Sequence, residues 1–338
     1  MATDPGSVPE TISERILHCL KAPGHSDDTD LEMEPDGLRC TQTGDSFPHV
    51  DGVPSLFRRG SSSGTQITEK VRSFYEENPF PSYEGLEDFG SIVTKGRKNS
   101  FSRRLLEAIG FNKLVLECGC GTGQLSHFLQ LNNNSVLGVD MSVNSLKLAI
   151  DHKNRNQLER SSFAQMNIFE LAIKEASFDV VIVHGVLHHT YDARQAFRHI
   201  VRKVKPGGVV IVGLYHRFGR IPSWVRARLI RVLGPGVDRV VRSHIEDEEK
   251  SKIWIKDQYF NPHESWHSID EVLIWFQEND VQFLNCVPPI LGTKGEMAEE
   301  LFAESSPGTR YQRIVSQLSW MATIAREGAV FDMIGRRR

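Results

Sequence analysis

Residues 114–125 read Leu-Val-Leu-Glu-Cys-Gly-Cys-Gly-Thr-Gly-Gln-Leu, a short apolar run that ends in alternating glycines and continues with helix-forming residues. An apolar run of this length closed by glycine predicts a buried strand. Gly119, Gly121 and Gly123 predict a tight turn from the carboxyl end of that strand into a helix, the place where open α/β sheets bind their ligands. The spacing Gly-x-Gly-x-Gly departs from the dinucleotide fingerprint, and no Lys-Ser/Thr follows to make a phosphate-binding loop. A diphosphate is therefore not the favoured guest. The next strand, "SVLGVD", ends in Asp140, 17 residues beyond Gly123, where a carboxylate can accept two hydrogen bonds from ribose hydroxyls. Glycine loop and acid together predict an adenosine-bearing cofactor. Two other readings stand beside it: a structural turn with Asp140 as a helix N-cap, and a nicotinamide enzyme on the same fold.

Outward from this stretch, strands and helices alternate. "TGQLSHFLQLN" and "VNSLKLAIDHKNRNQ" have helical spacing, "FDVVIVHGVL" and "GGVVIVGLYH" read as strands, and the amphipathic "DARQAFRHIVRKVK" lies between them. "IDEVLIWFQEND" reads as a helix and "VQFLNCVPPI" as a closing strand. The pattern predicts an α/β fold with a doubly wound, mostly parallel sheet. A small N-terminal module (1–60), a linker with a cofactor-covering helix (61–104) and a main domain (105–338) with a helical insert at about 216–262 complete the expected organisation.

Four segments in order, "VLECGCGTG", "VLGVDMS", "FDVVIVHGVLHH" and "VRKVKPGGVVIV", resemble the successive motifs of class I S-adenosylmethionine-dependent methyltransferases, especially the group that makes ubiquinone and menaquinone. The resemblance covers about residues 105–215 and implies a Rossmann-like methyltransferase fold with S-adenosyl-L-methionine as cofactor. It also implies that Glu117, Gly119, Gly121 and Gly123 approach the methionine moiety, Asp140 the ribose and Met141 the adenine face. Asn167 and Ile168 stand where the adenine amino group is commonly contacted, and His184 opens a loop that lies along the cofactor. Cys118 and Cys120 read as small residues that permit close approach.

Methyl transfer from a sulfonium is an in-line displacement, so the residues of interest are those that place a nucleophile and take its proton. His188 and His189 follow a sheet strand, and His216 follows the next. Residues 261–267, "NPHESWH", carry the spacing of a zinc-peptidase helix. Pro262 immediately before His263 and an apolar periodicity that starts only at Ile269 place this motif on a helix approach, where the two imidazoles would not share a helix face. No metal is expected. One reading puts Tyr259, His263 and His267 on the acceptor pocket, with Glu264 orienting the base; the other makes Ser268 the N-cap of the following helix and the histidines polar surface.

Residues 217–242 hold seven arginines interleaved with apolar residues, which suits a lid over a bulky acceptor or a peripheral contact with anionic lipid. The segment "ITEKVRSFYEEN" (67–78), with Phe74 and Tyr75, is expected to close over the cofactor. Residues 16–57 resemble the small zinc-ribbon domain of methyltransferase activator proteins. Cys19 is followed by Ala22 and Cys40 by Thr43 where that pattern wants Cys-x-x-Cys, so half the ligands are missing and the module is expected to be a metal-free scaffold.

The 338 residues are 39% hydrophobic and 25% charged with a formal charge of -3, which gives no global attraction to nucleic acid. Five cysteines and a polar, proline-bearing start predict a reducing, cytoplasmic setting. The expected activity is methylation, at oxygen or carbon, of a small and partly hydrophobic organic acceptor such as a quinol, phenol or lipid-linked metabolite, without a stable nucleic-acid partner. An RNA-modifying methyltransferase and a non-catalytic cofactor-binding scaffold are the alternatives. Oligomeric state is not readable.

Overall fold

The computed structural model describes residues 11–25, 28–59, 64–83, 85–86, 88–233, 261–291, 300–323 and 329–338. The described residues begin with a single helical turn, α1 (Glu14–Leu17), and a four-stranded antiparallel sheet of β1 (Leu31–Glu34), β2 (Gly37–Cys40), β3 (Ser46–Val50) and β4 (Val53–Pro54). Helices α2 (Thr65–Glu77), α3 (Phe89–Lys98) and α4 (Ser100–Ile109) lead into the main sheet. That sheet contains β5 (Leu114–Cys118), β6 (Ser135–Asp140), β7 (Ser161–Gln165), β8 (Phe178–His184), β9 (Val204–Tyr215), β10 (Val281–Val287) and β11 (Val330–Arg337). The connecting helices are α5 (Gln124–Leu129), α6 (Val143–Arg155), α7 (Ala193–Val201), α8 (Arg220–Leu233), α9 (Ile269–Glu278) and α10 (Arg310–Thr323).

The strand order is β10-β11-β9-β8-β5-β6-β7, parallel from β9 to β7, with β11 antiparallel to both of its neighbours. Strands β8 and β5 read as unbroken apolar runs because both faces of the sheet are covered. Along β8, Val181 and Val183 join the core on one face, with Phe197, Trp275 and Phe276, while Val180 and Ile182 join the other, with Leu105 and Ile109 of α4. The chain leaves β5 toward β6 and β7, then crosses back to β8 on the other side of β5. The order of connection reverses there, so the carboxyl ends of β5 and β8 splay their loops apart and leave a crevice.

The N-terminal segment shares the main core. Ile12, Ile16, Leu20, Leu38 and Leu56 belong to the same buried cluster as Leu137, Ala164 and Ile173. Ser55 bridges Gln165 at the edge of β7, Leu20 bridges Ile173, and the Lys174 amide donates to the Cys19 carbonyl at 2.9 Å. All five cysteines are buried thiols, and among the described residues no group of three or more His, Cys, Asp or Glu side chains is placed to hold a metal. No helix among the described residues is long and apolar enough to cross a membrane.

The segment "NPHESWH" is irregular, non-helical chain that ends in a parallel bridge of His267 to His216. Ser268 caps α9 by accepting from the Glu271 amide, so the histidines precede the helix, as Pro262 requires. Strands β7 and β11 and helix α10 are elements that the sequence reading did not pick out.

Candidate functional site

At the carboxyl edge of the sheet lies a cavity of about 450 Å³, within the roughly 300–1,000 Å³ of small-molecule sites. Its floor is the glycine loop. Gly121 has φ +52°, and a Cβ there would stand 2.1 Å from the Phe80 carbonyl oxygen, so only glycine lets the two backbones approach. The chain at Phe80–Tyr83 is strapped across this loop. The Thr122 amide donates to the Phe80 carbonyl at 3.2 Å, the Thr122 hydroxyl to that of Pro81 at 2.7 Å, the Gln124 side-chain Nε2 to that of Ser82 at 2.8 Å, and the Tyr83 hydroxyl to the Thr122 carbonyl at 2.6 Å.

Asp140 ends β6 beside the loop. One carboxylate oxygen accepts from the Gly121 amide and the other from the Ser142 amide, each at 2.9 Å. A carboxylate accepts about four hydrogen bonds, so Asp140 is oriented by the main chain and keeps capacity for a further donor. Burial raises its pKa, against the three backbone amides that stabilise the charge. Met141, Met166 and Ile168 continue the cavity wall past Asp140, an apolar slot beside a hydroxyl acceptor. Asn167 does not line it. Its side-chain nitrogen donates to the Arg58 carbonyl at 3.1 Å and its oxygen accepts from the Phe169 amide at 3.1 Å, so Ile168 alone of that pair faces the cavity. The expected Asn167 contact with an adenine amino group is corrected on this ground.

On the other side of the loop, Glu117 at the end of β5 is buried and accepts from the Ser126 hydroxyl; burial pushes its pKa up to about 7. His184, at the end of β8, also borders the cavity. Its Nδ1 lies 2.7 Å from Asp332 of β11, and its ring stacks on Phe101. Burial alone would lower the pKa of this imidazole, but the Asp332 carboxylate more than offsets it and the net shift is upward. Burial also raises the thiols of Cys118 and Cys120, which stay protonated.

The proposed bases separate sharply. His189 borders the cavity and donates from Nδ1 to the His263 carbonyl at 2.8 Å. His188, its neighbour in the same 3-10 turn, points into the core: its Nδ1 accepts from the Tyr215 amide, its ring stacks on Tyr215 at 3.6 Å, and burial holds its pKa well below the usual range. His216 is buried against Trp320 and Phe331, accepts from the Gly219 amide, and faces Gln317 at 3.3 Å; burial pushes it down to about 4. His267 is held between the Ser265 hydroxyl and Glu271. His263 contributes its carbonyl to His189, and Glu264 pairs with Arg220 rather than with a histidine. Thus His188, His216, His263 and His267 are not among the described residues that border the cavity, and the expectation that they serve it as bases is corrected on that ground. Tyr259 lies outside the described residues, as does the insert from 234 to 260.

Helix α2 covers the cavity with Thr68, Val71 and Tyr75, and Tyr75 meets the His189 ring edge-on at 6.2 Å. Its last turn also carries Glu76, whose carboxylate accepts from the Val143 and Asn144 amides at the start of α6, at 2.9 Å each. Among the described residues, α8 supplies no wall of the cavity. Tyr215, Lys95, Asn99 and Ser102 border it without having been singled out in the sequence. Only the helical pattern around "GSIVTKGRKNSFSRRLLEAI" hinted at the last three.

Residues 116–212 match the family model described as a methyltransferase domain. This stretch of the chain is a methyltransferase domain. Among relatives, an uncharacterised Synechococcus protein is 23% identical over 250 residues, 64% of this chain and 60% of the relative. The ubiquinone biosynthesis O-methyltransferase of Escherichia fergusonii is 33% identical over 118 residues, 35% of this chain and 48% of the relative. The chain therefore spans about half to three fifths of the length of these relatives. A solved geranyl diphosphate C-methyltransferase from Streptomyces coelicolor superposes with a TM-score of 0.44 at 14% identity, over 78% of this chain and 87% of that one. The methyltransferase domain's cavity fits its cofactor in kind: a preorganised hydroxyl acceptor in Asp140, an apolar slot for a base, and ionisable side chains beyond the glycine loop.

Proposed function

We propose that this chain methylates a small, partly hydrophobic organic acceptor, at oxygen or carbon, using S-adenosylmethionine. The observation that carries the reading is the Asp140–Gly121 cradle at the sheet's switch point, opening into a cavity whose remaining walls include Val71, Val186, Tyr215 and Val330. When bound, the cofactor supplies an electrophilic methyl carbon. Asp140 would hold the ribose hydroxyls, Met141 and Ile168 would flank the adenine, and Glu117 would take the ammonium of the methionine moiety. Strap 80–83 and helix α2 would exclude water from the reacting atoms.

The acceptor would lie toward Tyr75, His189 and Tyr215. The His263 carbonyl can only accept, so the His189 ring keeps its proton on Nδ1 and Nε2 is its basic nitrogen. On this reading His189 would accept the proton of a hydroxyl nucleophile.

The test is calorimetric titration of the protein with S-adenosylmethionine, S-adenosylhomocysteine and NAD, repeated on Asp140→Asn. Binding of the first two, weakened in the variant, supports the reading; binding of NAD instead overturns it. A screen of quinols, phenols and lipid-linked phenols follows. His189→Gln is expected to lower kcat on an oxygen acceptor by about 10²-fold or more while cofactor affinity holds, and unchanged turnover would remove His189 from the mechanism.

A further inference from the structure

Helices α8 and α10 pack against each other, and each turns an apolar stripe away from the core. On α8, Ile221, Val225, Leu229 and Val232 share one side at helical spacing, opposite the buried Arg220, Ser223 and Ile230. On α10, Tyr311, Ile314 and Leu318 do the same, opposite the buried Ser316, Gln317 and Trp320. Val232 is 81% exposed and Tyr311 76%. Most of the large apolar side chains that are exposed among the described residues lie on these two helices, and a clustered outward face of this kind marks an interaction site. Among the described residues neither helix supplies a wall of the cavity, so the stripes are not part of the site already described.

Charge on the same helices selects the partner. Neither contains an Asp or Glu, while α8 carries four arginines and α10 two. Arg220 pairs with Glu264 and Arg313 with Asp270, which ties the helices to the body of the protein. Arg228 stands within the α8 stripe, its guanidinium 3.5 Å from the centre of the Trp224 ring. We propose that the outer faces of α8 and α10 seat the protein on an anionic lipid bilayer. The aliphatic side chains enter the boundary between headgroups and acyl chains, Trp224 and Tyr311 sit at headgroup level, and Arg228 reaches the lipid phosphates.

A second copy of the chain fits these faces less well, because a two-fold contact through them sets arginine against arginine. A nucleic-acid backbone takes the arginines but leaves the aliphatic stripes in water. The proposal stands apart from the cofactor reading and does not depend on it. Arg220, the first residue of α8, lies over the Tyr215 ring at 3.9 Å, and Tyr215 borders the cavity, so the docking face begins beside the site.

The experiment is flotation of the full chain with vesicles of phosphatidylcholine alone and of phosphatidylcholine and phosphatidylglycerol in equal parts. The protein is expected to float with the anionic vesicles only, and to float less as salt is raised. Tryptophan emission should shift to the blue on binding, and Trp224→Phe should lose most of that shift. Leu229→Glu/Val232→Glu and Arg228→Glu are each expected to weaken partition roughly tenfold or more. Leu148→Glu puts the same charge at an exposed apolar position of α6 and should float as the wild type does. Circular dichroism melts report whether the variants fold; if the double variant does not, Arg228→Glu and the tryptophan shift still decide. Wild-type protein that stays below the anionic vesicles overturns the proposal. Undiminished flotation of the α8 variants does so too, as does a loss shared equally by Leu148→Glu. A sedimenting dimer that Leu229→Glu/Val232→Glu dissolves, with no flotation, also overturns it and makes the face a contact between copies.

Discussion

Acidification should strip this fold of stability through one buried histidine whose share can be isolated. His127 of α5 is fully buried; its Nε2–H donates to the Ala149 carbonyl at 3.2 Å and its Nδ1 accepts from the Ser161 hydroxyl at 3.0 Å. Burial, followed by the nearby His152 and Lys153, pushes its pKa down to about 3 from the ordinary 6.5. The native state therefore binds fewer protons than the unfolded chain between these values. His127 favours the native state fully above about pH 6.5, and this contribution erodes as pH falls toward 3. At pH 5 the unfolded chain gains 6.5 − 5 = 1.5 units of protonation free energy that the native state does not share. At 1.36 kcal/mol per unit this is about 2 kcal/mol. With an unfolding entropy of about 2.1 cal/mol/K per residue over a chain of this length, it corresponds to about 3 °C in Tm. Urea unfolding followed by tryptophan fluorescence at pH 7.5 and pH 5, on the wild type and on His127→Gln, gives the double difference directly. The variant is expected to be less stable at pH 7.5 but to lose about 2 kcal/mol less on acidification. Equal losses in the two proteins would show that His127 is protonated in the native state and that its burial is not the cause of acid sensitivity.

Two further perturbations test other parts of the molecule. Gly121→Ala puts a methyl group against the Phe80 carbonyl at a left-handed φ. It should cost about 1–2 kcal/mol of backbone strain and weaken S-adenosylhomocysteine roughly tenfold or more by displacing the strap. Calorimetry that finds wild-type affinity would show that the strap does not shape the site. Glu264→Ala removes the carboxylate from Arg220, which is 3% exposed and lies over the Tyr215 ring at 3.9 Å. The expected loss is about 3 kcal/mol in urea unfolding, largely recovered in the double variant Arg220→Met/Glu264→Leu. A single variant as stable as the wild type would mean that the pair is dispensable.

The parallel core was legible because its signals are local. Apolar runs such as "FDVVIV", glycines at alternate positions after "LVLEC", and an acid closing the following strand each reflect backbone geometry or burial within a few residues. The position of "NPHESWH" on the approach to a helix, not within it, was legible from Pro262 and the late start of the apolar periodicity, and Ser268 as N-cap was one of the two readings offered. Strand β11 was not legible, because an antiparallel strand at the end of the chain is defined by its partners, Tyr215 to Val209 on β9, and not by a motif of its own.

The sequence by itself determined the strands β5, β6, β8 and β9, the glycine loop and the acid that ends β6, since apolar runs and glycine turns are local signals. Tertiary structure alone decided which histidines matter. His188 and His189 are adjacent in sequence, yet only the second borders the cavity, because a single 3-10 turn sends their rings in different directions. The upward shift of His184 comes from Asp332, 148 residues away, which it reaches past the missing side chain of Gly213. Electrostatic pairing depends on distance through space, and that distance exists only after β11 has inserted beside β9.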